Sequence, residues 1–120
     1  DLNGNIIGKD FGNLKETTLS GYYNSGGKGD KKLVYRTDII KKYPQYPVFE
    51  GEKYIGLNYK YILIDQDYKL LALNDVLCNV EYQKDGSSRS MWKQYYKSPQ
   101  GFAFLRKFYQ GIVTQKKAHY

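Results

Sequence analysis

Basic and aromatic side chains alternate through the last third of the chain, a combination that suits a polyanion with stackable bases. From Gly86 to Tyr120 there are seven Lys or Arg residues and no Asp or Glu, whereas residues 1–85 hold twelve of each sign. The whole formal charge of +7 therefore lies in the last 35 residues. Cations that displace counterions from phosphates provide affinity, and exposed rings stack unpaired bases. This stretch predicts binding to RNA or another single-stranded nucleic acid.

Five residues are the predicted nucleic-acid contacts. On a predicted strand over 88–96, Arg89, Lys93 and Tyr95 share one face, and a following helix adds Arg106 and Lys107. A plainer interpretation is also open, in which the nearby Phe and Leu residues form a core and the lysines are a solvated surface. The absence of acidic residues over so long a stretch is what favours a polyanion site.

A metal-independent ribonuclease would need a general base, a general acid and cations for the phosphorane charge. Glu81 is the predicted base, and His119, the single His of the chain, is the predicted acid. Arg36 follows a predicted strand and is a candidate phosphate ligand. Glu50 and Glu52 are the remaining carboxylate choices for the base. None of these spacings is specific to a nuclease family.

The sequence predicts no metal site and no cofactor. One Cys (Cys78) and one His exclude a Cys/His zinc cluster and an intrachain disulfide. Asp65, Asp67 and Asp75 lack the glycine and the distal glutamate of a calcium loop, so we interpret them as turn residues.

The elements that must position these residues are predicted to form an α+β fold. Four segments have strand composition, separated by Asp- and Asn-containing turns: 59–64, 68–73, 76–83 and 88–96. Within 76–83, apolar and polar residues alternate, and Asp85-Gly86 is a strong hairpin signal. These segments predict a four- or five-stranded antiparallel sheet, with a meander over 59–96.

A C-terminal helix over about 99–110 is predicted to pack on one face of that sheet. Ser98 is a typical helix cap, and Pro99 suits the first helical position. Leu105, Phe108 and Ile112 recur at helical spacing and predict the buried face. A sheet covered by a helix is an α+β layer architecture.

The length of 120 residues predicts a single domain, 1–120, with a loop-rich N-terminal segment over 1–31 that is dense in Gly and Asn. No apolar run approaches 18 residues, so we expect no membrane span. The chain starts at Asp1 rather than Met, and we expect a mature form or a domain of a larger protein.

The opening Asp1-Leu2-Asn3-Gly4-Asn5, echoed by Asp10-Phe11-Gly12-Asn13, resembles the end of a Tyr-Asp repeat array. Such arrays precede the toxin domains of bacterial polymorphic toxins. The resemblance covers residues 1–13 and implies a C-terminal toxin domain, often a nuclease, that pairs with an immunity protein. It also implies a protein that is secreted or delivered and acts in a cytoplasm. It transfers no catalytic residue to this chain.

Two other functions remain open. The chain could be a non-enzymatic interaction module or assembly subunit that docks on an acidic protein, or a carbohydrate-binding protein that uses Tyr and Trp. Steep salt dependence separates nucleic-acid binding from carbohydrate binding. Protein docking is set apart by its need for a buried cluster of rings rather than a series of phosphate contacts.

Overall fold

The computed structural model describes residues 1–84, 86 and 90–118, with side-chain surroundings as far as residue 112. The described residues form five helices and one two-stranded sheet. In chain order the elements are β1 (Glu16–Thr17), α1 (Leu19–Asn24), α2 (Thr37–Ile40), α3 (Asn58–Asp65), β2 (Leu70–Leu71), α4 (Met91–Lys97) and α5 (Pro99–Ala118). None of the helices in the described part of the chain has the length and apolar character that crossing a membrane requires.

The predicted four- or five-stranded antiparallel sheet is wrong. Segment 59–64 lies in helix α3, and most of 88–96 lies in helix α4. Short apolar runs of this kind have the same composition in a strand and in a buried helix, so periodicity alone does not separate them. Segment 76–83 has no regular secondary structure. Its alternation does not produce a strand: of the two segments predicted to pair with it, most of 88–96 is helical, and β2 in segment 68–73 pairs with β1 instead.

The chain divides into two compact units. The first unit comprises Asp1–Pro44 and Tyr61–Glu81, and the second comprises Gln45–Lys60 and Tyr82–Tyr120. Helix α3 contributes its first turn to the second unit and its remaining residues to the first.

In the first unit, β1 and β2 pair antiparallel, with Glu16 opposite Leu71 and Thr17 opposite Leu70. Helix α1 follows β1 at once, and its first N–H groups are satisfied by a residue distant in sequence. The Asp65 carboxylate accepts hydrogen bonds from the Leu19 and Ser20 N–H groups at 3.0 and 2.9 Å. This carboxylate ties the end of α3 to the start of α1, where the positive end of the helix dipole favours an anion.

The loop-rich N-terminal segment packs around Tyr22 of α1. The buried Tyr22 ring lies 4.8 Å from the Phe11 ring, and its hydroxyl donates to the Lys9 carbonyl. The Lys31 ammonium lies 5.6 and 5.5 Å from the centres of these two rings. A segment dense in turns is therefore ordered by one buried ring and one cation.

In the second unit, helix α5 does begin at Pro99, but it runs to Ala118 and does not pack on a sheet. Its residues contact the segment 45–60 instead. The Phe104 ring lies 6.2 Å from Phe49 and 4.9 Å from Tyr59. Leu105 is buried, and a Cβ built on Gly56 would lie 2.6 Å from Leu105 Cδ1. Gly56 therefore leaves the space that the Leu105 side chain fills.

The start of α5 is capped by Glu52 rather than by the predicted Ser98. The Glu52 carboxylate accepts hydrogen bonds from the Gln100 and Gly101 N–H groups at 2.7 and 2.9 Å. Ser98 is completely buried, and its Oγ accepts from the Tyr54 N–H at 3.2 Å. The loop 52–54 thus holds the corner between α4 and α5 from both sides.

Candidate nucleic-acid interface

The formal charge of the chain follows the division into units. The second unit holds ten Lys or Arg and three Asp or Glu residues, a net charge of +7, whereas the first unit holds nine of each sign. Of the three acids, Glu52 accepts the two N–H groups at the start of α5. The second unit is therefore the part of the molecule that attracts a polyanion.

Helix α4 carries three aromatic residues on one face. Trp92, Tyr95 and Tyr96 follow the spacing i, i+3 and i+4, which places side chains together on a helix. Trp92 is 78% exposed and Tyr96 is 83% exposed, while the more covered Tyr95 lies between α4 and α5. Large rings in this state contribute little to the core and are available to a ligand.

Helix α5 supplies the opposite wall of a groove. Pro99, Phe102, Ala103 and Arg106 follow the spacing i, i+3, i+4 and i+7, and they line the groove together with the three rings of α4. The groove opens to solvent and has a volume of about 840 Å³. The Tyr95 and Phe102 rings pack against each other, with centroids 4.5 Å apart, and join the two helices.

Residues of the loop 52–54 pack against the α5 wall of the groove. Phe102 stacks on Tyr54, with ring centroids 5.1 Å apart and planes 12° apart. The same loop contributes the Glu52 cap and the Tyr54 hydrogen bond to Ser98 described above. A binding surface on packed helices keeps its geometry better than a surface on loops.

Four exposed cations lie on the same two helices: Lys93, Lys97, Arg106 and Lys107. Among the described residues, the ion pairs closer than 4 Å are Arg36–Asp38 and Lys69–Glu16, and both belong to the first unit. No described carboxylate therefore neutralises the four cations of α4 and α5, and they remain available to phosphates.

The predicted nucleic-acid contacts are partly brought together. Tyr95 and Arg106 line the groove, and Lys93 and Lys107 lie on the helices that form it. Arg89 lies outside the described residues. The predicted strand face shared by Arg89, Lys93 and Tyr95 is wrong, because Lys93 and Tyr95 lie on helix α4, where residues two apart point in different directions.

Trp92 and Tyr96 were missed as site residues. A strand over 88–96 would place them on the face opposite Tyr95, whereas the helix brings all three rings together. The signal that could have found them is the spacing of three and four, in a stretch free of Gly and Pro between Met91 and Lys97.

The predicted catalytic residues do not form a site in the described part of the chain. Glu81 is exposed in a segment without regular structure, so no strand holds its side chain in place. Arg36 makes two hydrogen bonds to Asp38, at 3.2 and 2.9 Å, and these bonds hold the pKa of Asp38 below its usual value. No hydrogen bond or ion pair joins Glu81 to Arg36 in this part of the structure, and His119 lies outside it.

The three aspartates considered for calcium were predicted to be turn residues. Asp67 accepts a hydrogen bond from the Tyr43 hydroxyl at 2.6 Å, and Asp65 binds the start of α1. No group of three or more His, Cys, Asp or Glu side chains that could hold a metal ion occurs among the described residues.

Comparison of the chain with family models, with curated proteins and with solved structures finds no match. The features that bear on function are therefore those of the second unit itself: a groove with two exposed rings and a guanidinium, and three exposed lysines on the two helices that form it.

Proposed function

We propose that the second unit binds single-stranded nucleic acid, RNA in particular, in the groove between α4 and α5. The observation that carries the proposal is the exposure of Trp92 and Tyr96 beside Arg106 in the same groove, within the unit that holds the whole net charge. Bases would stack on the two rings, and the backbone would run along the cations of both helices.

The binding energy of such a complex would come from base stacking and from phosphate contacts. Stacking on an aromatic side chain contributes about 1–3 kcal/mol per base, and each neutralised phosphate adds affinity that decreases with salt. The faces of the bases in a duplex are occupied by their neighbours and cannot lie against Trp92 or Tyr96. The proposal therefore favours single strands, in contrast to a surface that provides only positive charge.

The proposed function is binding of RNA and does not include its cleavage. Glu81 was predicted to be the general base because a strand and a hairpin would hold it near cations. The segment 76–83 has no regular secondary structure, so that reason does not apply. The resemblance of residues 1–13 to the end of a repeat array supports a delivered toxin domain with an immunity protein, and that interpretation remains a prediction. A ribonuclease toxin and a non-catalytic binding module would both need an RNA-binding groove, so the groove does not distinguish between them.

An acidic protein, such as an immunity protein, would use the same four cations. It would gain less from Trp92 and Tyr96, because protein interfaces obtain most of their energy from rings that enter pockets of the partner. Competition between RNA and a candidate acidic protein for the groove would separate the two partners.

The salt dependence of binding tests the proposal. If four phosphates are neutralised by Lys93, Lys97, Arg106 and Lys107, the logarithm of the affinity for a labelled oligouridine should fall with a slope of about −3 against the logarithm of the salt concentration. Replacing the three lysines by alanine should flatten that slope by about 2. Fluorescence anisotropy over a range of salt concentrations measures both values.

The matched control replaces three exposed lysines of the first unit, Lys15, Lys32 and Lys41, by alanine. This variant loses the same charge, and its slope should stay within about 0.7 of the wild-type slope, the contribution of one phosphate. Equal flattening in both variants would mean that net charge alone matters, and absence of binding at low salt would end the nucleic-acid proposal.

A further inference from the structure

The guanidinium of Arg106 differs from the other cations around the groove. A guanidinium presents five N–H donors in a fixed plane and binds two acceptors side by side, whereas an ammonium acts as a point charge. Arg36, in the first unit, already donates two such hydrogen bonds, to the carboxylate of Asp38. Arg106 is exposed, lines the groove, and has no carboxylate within 4 Å among the described residues.

The polar groups of the groove are mainly donors. The Arg106 guanidinium and the Trp92 indole N–H only donate, and the hydroxyls of Tyr95 and Tyr96 donate or accept as they rotate. The lining residues that the structure describes include no carboxylate and no carboxamide side chain. Such a groove suits a base edge that offers acceptors rather than donors.

Among the bases, guanine offers two adjacent acceptors, O6 and N7, at the spacing of a guanidinium. Adenine places a donor, its N6 amino group, beside N7, and cytosine also presents an amino group. Uracil offers a single acceptor, O4, on the corresponding edge. On this edge, an arginine with an unused pair of donors therefore favours guanine over the other three bases.

Position on the helices supports this assignment. Trp92 lies in the first turn of α4 and Arg106 in the second turn of α5, and of the lining residues these two are the most distant from Ser98 along their helices. Both residues line the same groove, so a base that stacks on Trp92 lies in the groove that also holds the donors of Arg106. We infer that the groove recognises guanine in a single strand, with Trp92 stacking the base and Arg106 donating to O6 and N7. This inference rests on the proposed function.

The test compares oligouridines of about ten nucleotides that differ only in one central base. The central base is uracil, adenine, guanine, hypoxanthine (as inosine) or 7-deazaguanine, and affinity is measured by anisotropy at one salt concentration. Hypoxanthine keeps O6 and N7, whereas 7-deazaguanine lacks the N7 acceptor. Guanine and hypoxanthine should bind about five- to a hundred-fold more tightly than uracil or adenine, and 7-deazaguanine should lose most of that gain.

Arg106→Lys keeps the positive charge and removes the paired donors. It should abolish the preference for guanine over 7-deazaguanine, measured as the ratio of the two affinities within the same variant, so that any change in general affinity cancels. Lys15→Ala, in the first unit, removes one exposed charge and should leave the preference unchanged.

Equal affinity for all five oligonucleotides would overturn the inference and leave the proposed function standing, since Arg106 would then bind phosphate. A preference that survives Arg106→Lys would overturn the assignment to Arg106. Failure of every oligonucleotide to bind at low salt would overturn both the proposed function and this inference.

Discussion

Replacing Trp92 and Tyr96 together by alanine is expected to weaken binding of single-stranded RNA by roughly 30-fold or more, with little change in stability. Each ring is expected to stack one base, and the loss of two stacks amounts to about 2–6 kcal/mol. The two side chains are 78% and 83% exposed, so their removal leaves no cavity in the core.

Two controls distinguish stacking from a general loss of apolar surface. Trp92→Phe and Tyr96→Phe keep a ring at each position and should retain most of the affinity. Val48→Ala removes a 91% exposed apolar side chain of the same unit, outside the groove, and should have no effect. An affinity in the double alanine variant within twofold of wild type would mean that bases do not stack on α4.

Leu105→Ala should lower the free energy of unfolding of the second unit by about 2–5 kcal/mol. Leu105 is 9% exposed and fills the space left by Gly56, whose backbone has no side chain that could move into the resulting cavity. Chemical denaturation followed by the emission of Trp92, the one Trp of the chain and a residue of this unit, measures the change.

Leu57→Ala is the matched control, because it removes the same atoms from a side chain of the same unit that is 57% exposed. Its effect should stay within about 0.5 kcal/mol. If the two leucine variants unfold at the same denaturant concentration, α5 does not pack on the segment 45–60 as the structure has it.

The concentration of charge in the C-terminal third could be predicted from the sequence because it depends on composition alone. The start of α5 was also predictable, since Ser98-Pro99 is a local signal. The cap of that helix was not. Glu52 lies 48 residues from Gln100, and no local pattern indicates that its carboxylate meets those N–H groups.

The sheet was predicted wrongly because strand and helix share the same residues in short segments. Tyr59, Tyr61 and Ile64 fit a strand by composition, but their packing decides otherwise: Tyr59 contacts Phe104, Tyr61 stacks on Tyr35, and Ile64 is buried at the end of α3. Such contacts between distant residues override local propensity.

The same error affected the candidate site. Lys93, Tyr95, Arg106 and Lys107 were identified by type, since basic and aromatic residues suit a nucleic acid whatever their secondary structure. The partners of Tyr95 were wrong, because a period of two groups it with Lys93 and a period near four groups it with Trp92 and Tyr96. The choice of period therefore decided which surface was predicted to bind.

The emission of Trp92 during titration with oligouridine shows whether nucleic acid binds in the groove. Since the chain has a single Trp, its signal reports on the groove alone. We expect saturable quenching at low salt with the same midpoint as the anisotropy change, and no comparable quenching by a duplex of equal length. Binding seen by anisotropy with unchanged Trp92 emission would mean that the nucleic acid binds elsewhere on the protein.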